Sequence, residues 1–144
     1  MTAAPGALVG LSAEPLSAAA HLAAVEDPRS GAVAVFVGRV RDHDPGVTGT
    51  VVALEYTAHP DAPAVLARLA DAAQAREGVL GVALSHRVGT LGVGEPALVA
   101  VVATAHRELA FEVCRDLVEA VKADLPVWKR EVLADGSHVW SGLT

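Results

Sequence analysis

Residues 31–40, Gly-Ala-Val-Ala-Val-Phe-Val-Gly-Arg-Val, place apolar side chains at both parities of an extended segment. Successive strand residues point to opposite faces, so this run predicts a strand covered on both sides. A sheet containing it needs a packed layer above and below. Residues 97–105 read as a second buried strand of the same kind.

The remaining segments alternate between strand and helix signals. A short strand is expected over 7–12. Ser17 can cap a helix over 18–25 that ends near Pro28. Residues 43–49, with Asp44, Pro45 and two glycines, form a loop, and 50–56 is the next strand. The pair flanking that loop predicts a long-armed hairpin. Asp61 caps a helix to about residue 77, with Leu66, Leu69, Ala70 and Ala73 as its apolar stripe. Residues 79–88 form a strand, and 89–96 a glycine-rich turn. A third helix over 107–123 has an apolar face of Ala110, Val113, Cys114, Leu117, Val118 and Val121. Pro126 ends it before a strand over 127–133, and Asp135-Gly136 turns toward His138-Val139-Trp140. This order predicts an α+β domain: one mixed, largely antiparallel sheet with three helices over one face and the other face free for a second copy. No repeat, linker or composition break divides the chain, so one domain is expected over 1–144.

Composition narrows the function. Of the 144 residues, 52% are hydrophobic, which excludes an intrinsically disordered chain. The longest stretch without Asp, Glu, Lys or Arg is 1–13, shorter than the roughly 18 residues of a spanning helix. No Lys or Arg precedes Arg29, so a secretory leader is not expected, and the lone Cys114 allows no internal disulfide. The expectation is a cytoplasmic protein. Eleven Lys and Arg against seventeen Asp and Glu give a net charge of −6, which argues against broad binding to nucleic acid or anionic membrane.

Within that acidic background the cations cluster. Arg39 and Arg41 close the 31–41 segment and, two residues apart, point the same way on a continuing strand. Two forked guanidiniums there suit a phosphate or carboxylate, or are simply two wet arginines at a strand end. His106-Arg107 opens the third helix, where free N–H groups favour an anion and extra cations are electrostatically costly. Either an anionic ligand or a capping histidine explains the pair. His86-Arg87 has no following helix and predicts a structural role. Lys122 and Lys129 are the only lysines. Unlike guanidinium, an amine crowded by another cation can be neutral near pH 7, so two lysines brought together by the Pro126 turn suit proton transfer; chance placement with a helix-dipole role is the alternative. The six histidines lack metal-ligand spacing, Ser85-His86 lacks a nucleophile elbow, and Cys114 reads as a packed small hydrophobe. No metal or cofactor is expected.

Taken together, the segments 31–41, Leu54-Glu55-Tyr56, 86–91, Gly94-Glu95, Ala105-His106-Arg107 with Ala110-Phe111-Glu112, and above all Lys-Ala-Asp-Leu-Pro-Val-Trp-Lys-Arg-Glu over 122–131 resemble the catalytic (large) subunit of molybdopterin synthase. The resemblance runs from about Gly31 to Trp140. It implies an α/β-hammerhead fold and a homodimer. It also implies a heterotetramer with a small ubiquitin-like sulfur carrier whose C-terminal Gly-Gly thiocarboxylate delivers sulfur. The substrate implied is cyclic pyranopterin monophosphate, converted to the dithiolene of molybdopterin. By position the resemblance makes Lys122 the central catalytic lysine and Lys129 its neighbour. Arg41, His106 and Arg107 become substrate-anion contacts, and Phe36, Arg39, Val40, Arg130 and Glu131 match flanking pocket positions. Family members often carry a charged tail past the final Trp, so a tail residue reaching a neighbouring site is expected to be absent or replaced here. The rival expectations are a non-catalytic paralogue of the same fold and an unrelated ligand-binding dimer.

Overall fold

A computed structural model of the chain describes residues 8–141. It contains eight strands and three helices among those residues, in an α+β arrangement. The strands are β1 (Val9–Ser12), β2 (Ala32–Arg39), β3 (Val51–Ala58), β4 (Val79–Arg87), β5 (Gly89–Gly92), β6 (Pro96–Thr104), β7 (Val127–Leu133) and β8 (His138–Ser141). The helices are α1 (Ala18–Ala24), α2 (Ala62–Gln74) and α3 (Arg107–Asp124). Residue 7, the expected start of the first strand, lies outside the described residues.

Two four-stranded sheets replace the single sheet expected from the sequence. Their orders are β1-β4-β6-β2 and β5-β3-β7-β8. Only β1 with β4 is parallel; every other pair is antiparallel. The expected β2–β3 hairpin does not form: β2 pairs with β6, and β3 with β5 and β7. The reason is visible at the loop's start. Val40 is 2% exposed, its N–H donates to Glu95 O at 3.0 Å and its carbonyl accepts from Gly94 N at 2.7 Å. The chain is thereby bound to the β5–β6 turn and cannot fold back on β2. The expected turn over 89–96 itself contains β5, with Gly89 and Gly94 at φ 90° and 89°, where glycine alone is unstrained.

The first sheet is packed on both faces, but not by one helical layer. Side chains of Ala34, Val82, Leu84, Leu98, Ala100 and Val102 meet α2 and α3. The opposite parity, Ala83, Val99, Val101 and Ala103, meets Val25 and the end of α1. Ser17 caps α1 as expected, its Oγ accepting from Ala20 N at 3.1 Å. Asp61 holds the N-cap position of α2 without a side-chain cap bond; Ala62 N instead donates to His59 O. At the edge, β2 departs from expectation. Val33 and Val35 are 45% and 43% exposed, because α1 covers mainly β4 and β6. A smaller core of Val40, Val51, Leu54, Leu91, Ala97 and Leu133 joins the two sheets.

Candidate active site

The helix α3 carries both cation groups read from the sequence, at opposite ends. The rise from Arg107 to Lys122 is about 22 Å at about 1.5 Å per residue. One chain therefore does not bring His106 and Arg107 to the lysines.

At the C-terminal end, α3 stops where Leu125 leaves helical geometry and Pro126 follows. Pro126 O accepts from His59 N at 3.0 Å, which locks the start of β7 beside the end of β3. This turn delivers Lys122 and Lys129 to one pocket. Tyr56 and His86 complete its polar lining, and Leu98, Val121, Leu125 and Val127 form its apolar wall. Lys122 as a whole is exposed. Even so, the loss of water around its amine, and next the Lys129 charge, lower its pKa; Glu119 one turn back acts weakly in the other direction. Burial likewise raises Tyr56 and lowers His86.

Beside Lys129 stands an acid pair. Glu131 is 2% exposed and its Oε1 lies 4.0 Å from Lys129 Nζ. Its buried Oε2 finds no donor. Burial first, and then the Asp44 carboxyl alongside, push Glu131 up to about 7, while Lys129 and Arg41 pull the other way. Asp44 is lowered, chiefly by its bond with Glu131. A proton kept on Glu131 and donated to Asp44 satisfies both groups, since two ionised carboxylates have nothing to share. The loop that carries Asp44 also brings the exposed Arg41 to this cluster.

The other sequence candidates lie apart. Arg39 is exposed at the last position of β2, after a register break at Gly38. Val40 is buried in the smaller core with its backbone bonded on both sides, so it holds Arg39 and Arg41 in place rather than facing a ligand. Phe36 is half-buried against the main core. Arg130 points to the face of β7 opposite Lys129 and Glu131. Its Nη2 donates to Glu55 Oε2 at 2.8 Å and its guanidinium sits 5.8 Å from the Trp140 ring centre. It is therefore placed outside the lysine pocket. His106 occupies the α3 N-cap without a side-chain cap bond, so the capping role is absent. His106, Arg107, Glu108 and the exposed Phe111 instead line a shallow hollow of their own.

Sequence reasoning missed Tyr56, His86 and Asp44. The first two are strand-end residues whose partners come from three other elements, and a single polar residue at a strand end carries no local signal. Arg87 does keep the structural role expected of it: it is 5% exposed, with Nη1 3.6 Å from Glu95 Oε1.

Comparison with known proteins gives this geometry a lineage. The chain matches the family described as MoaE protein over residues 11–124. Molybdopterin synthase catalytic subunit 1 of Mycobacterium tuberculosis is 38% identical, the alignment covering 92% of this chain and 88% of the relative. The crystal structure of molybdopterin synthase from Staphylococcus aureus superposes with a TM-score of 0.84 at 28% identity, covering 93% of this chain and 96% of that one. A complex of subunits 1 and 2 of the molybdopterin-converting factor from Helicobacter pylori contains the same fold, with a TM-score of 0.71 at 20% identity over 94% of this chain and 88% of that one. With the family matched over most of the sequence and the fold shared along nearly its whole length, the chain belongs to the MoaE family of molybdopterin synthase catalytic subunits.

Proposed function

We propose that this chain moves sulfur from the thiocarboxylated Gly-Gly tail of a small ubiquitin-like carrier onto cyclic pyranopterin monophosphate, forming the dithiolene of molybdopterin. The observation that carries this reading is the meeting of Lys122 and Lys129 in one pocket, where desolvation and the Lys129 charge lower the pKa of the Lys122 amine. The carrier tail and the substrate phosphate are both anions, and their approach needs fixed cations. Lys129 supplies one in the pocket, and Arg41 another beside the adjoining Glu131. Lys122, whose amine gives up its proton more readily than a free lysine, gives or takes the proton as sulfur adds and oxygen leaves. No metal or cofactor is required for these steps.

His106 and Arg107, about 22 Å from Lys122 along α3, reach a lysine pocket only if a second copy supplies them. The same proposal therefore includes a homodimer, with a carrier on each copy to make a heterotetramer. The exposed Val33 and Val35 on edge strand β2 offer apolar surface for such an association. The Helicobacter pylori complex of two subunits supports a small partner. A cytoplasmic location completes the proposal, in keeping with the free, buried Cys114.

The test is incubation with thiocarboxylated carrier and cyclic pyranopterin monophosphate, followed by detection of the dithiolene. Product dependent on both additions is expected. Intact carrier thiocarboxylate and unchanged substrate after incubation at saturating concentrations would reject the assignment. Light scattering of the protein alone should give the mass of a dimer; a monomer at micromolar concentration would remove the shared site.

A further inference from the structure

We propose that His86 is a positioning residue for sulfur transfer, its Nε2 lone pair holding the Lys122 amine inside the pocket; this rests on Lys122 being the working amine. The imidazole is 7% exposed and ends the row Val82, Leu84, His86 on the core face of β4, which packs chiefly on α2 and at its end reaches the pocket lined by Lys122 of α3. Its Nδ1 lies 2.7 Å from Arg87 O. A carbonyl oxygen only accepts, so the neutral ring keeps its proton on Nδ1 and presents Nε2 as a bare acceptor. The Tyr56 ring meets the imidazole edge-on, 5.0 Å between centres at 84°, and limits its rotation. Among the described residues Nε2 has no hydrogen-bond partner, and the ring lines the same pocket as Lys122 and Lys129.

The cross-strand neighbours of His86, Leu11 on β1 and Leu98 on β6, are apolar. The titratable groups facing it are Tyr56 from β3, Lys122 from α3 and Lys129 from β7. On β4 itself, Arg87 is directed to Glu95. Lys122 thus has two possible holds: Glu119, one turn back on the wet side of α3, and the His86 lone pair within the pocket. A carboxylate in place of His86 would orient the amine but fix its proton. A neutral nitrogen orients it and leaves it free to ionise. Burial, and less strongly the Lys122 charge, keep the ring neutral to below its ordinary pKa, and its own bond to Arg87 O opposes them. Acid then removes the lone pair and adds a third cation, releasing Lys122.

The experiment compares the parent protein with His86→Phe and His86→Gln in single-turnover dithiolene formation with thiocarboxylated carrier and substrate across pH 5–9. The parent rate should fall on the acid side, in a step below about pH 6.5. His86→Phe should be at least about tenfold slower at pH 7.5, the effect of one lost bond to a charged group, with carrier KM unchanged and the acid step gone. Gln retains an acceptor oxygen, so His86→Gln should recover most of the rate, still without the acid step. A parental rate and acid step in either folded variant overturns the role of His86. If Phe prevents folding, the Gln variant decides. Ring nitrogen NMR of the unaltered protein gives an independent reading: a neutral ring with its proton on Nε2 also overturns the inference. A parent that forms no dithiolene defeats the functional reading instead, and the NMR result still judges the placement of the lone pair.

Discussion

In the sheet β1-β4-β6-β2, every residue from Ala97 to Thr104 of the strand β6 is buried, and nearly all are Ala or Val. In β5-β3-β7-β8, strand β7 buries Val127, Glu131 and Leu133 but leaves Trp128, Lys129 and Arg130 half-open. The first sheet has helices on both sides and offers no polar group to a ligand along β6. The second has a wall on one side only, so its alternation displays two different chemistries. Tyr56 and Lys129 face the end of α3, with Glu131 beside Lys129 on the same face of β7, and Glu55, Arg130 and Trp140 face outward. The contrast teaches that the sealed interior of the first sheet supplies rigidity, while the half-covered sheet, together with the rim where β4 and α3 end, supplies functional groups held to that frame.

The sharpest way to break this division is to wound the sealed sheet. Leu84 is fully buried between β4 and α2–α3. Leu84→Ala should cost about 2–5 kcal/mol, read by urea denaturation. A loss below about 1 kcal/mol would mean the layer is not closely packed. The counterpart at the pocket between that open sheet and the end of α3 is Lys122→Arg. It keeps the charge at the helix end, so melting temperature should be unchanged, but guanidinium stays protonated and turnover should drop more than about a hundredfold. Turnover near the parent's would leave only an electrostatic role for that position, and the same result for Lys122→Ala would remove it from the chemistry. Lys129→Ala should be impaired less completely.

Glu131 tests whether the functional sheet carries a stability penalty. Its carboxyl titrates near 7 when folded, against an ordinary value of 4.5. Between those values the folded chain holds a proton that the unfolded chain has released. Stability is therefore full near and below 4.5 and declines as pH rises through 7, by up to about 3 kcal/mol. The lowered Asp44 acts in a separate window, its contribution being lost as pH falls below its ordinary 3.8. Denaturation between pH 5 and 8 should show the decline, and Glu131→Gln should flatten it; an equal slope in both proteins would assign the decline elsewhere. The smallest effect belongs to the outer face. Arg130 and Glu55 form a half-exposed pair, so Arg130→Ala should cost less than about 1 kcal/mol and leave turnover intact. Lost turnover in a folded Arg130→Ala protein would return this residue to the site.

Much of the scaffold was legible because it is written in local patterns. The α3 stripe of Ala110, Val113, Cys114, Leu117, Val118 and Val121 is buried as its spacing predicts. Strand β6 announced itself by unbroken apolar composition. The pairing of strands was not legible. A loop over 43–49 reads identically whether it closes a hairpin or carries the chain from one sheet to another. The choice rests on Val40 being bonded to the β5–β6 turn, far away in sequence. The lysines stood out by their rarity and by the 122–131 segment, whereas Asp44 read only as a loop residue and His86 only as structural.

By itself the sequence determined the three helices, most strand segments, the anionic background with clustered cations and, through the 122–131 segment, the family. These depend on neighbours a few residues apart, where spacing and composition act directly. Only the tertiary structure decided that there are two sheets, that His106 and Arg107 stand a helix length from Lys122, and that Arg130 faces away from Lys129. It alone joined Asp44 to Glu131 and His86 to the lysine pocket. Those outcomes rest on which distant strand wins each edge and on how far burial shifts a charge. Both are set by groups that meet only when the chain is folded.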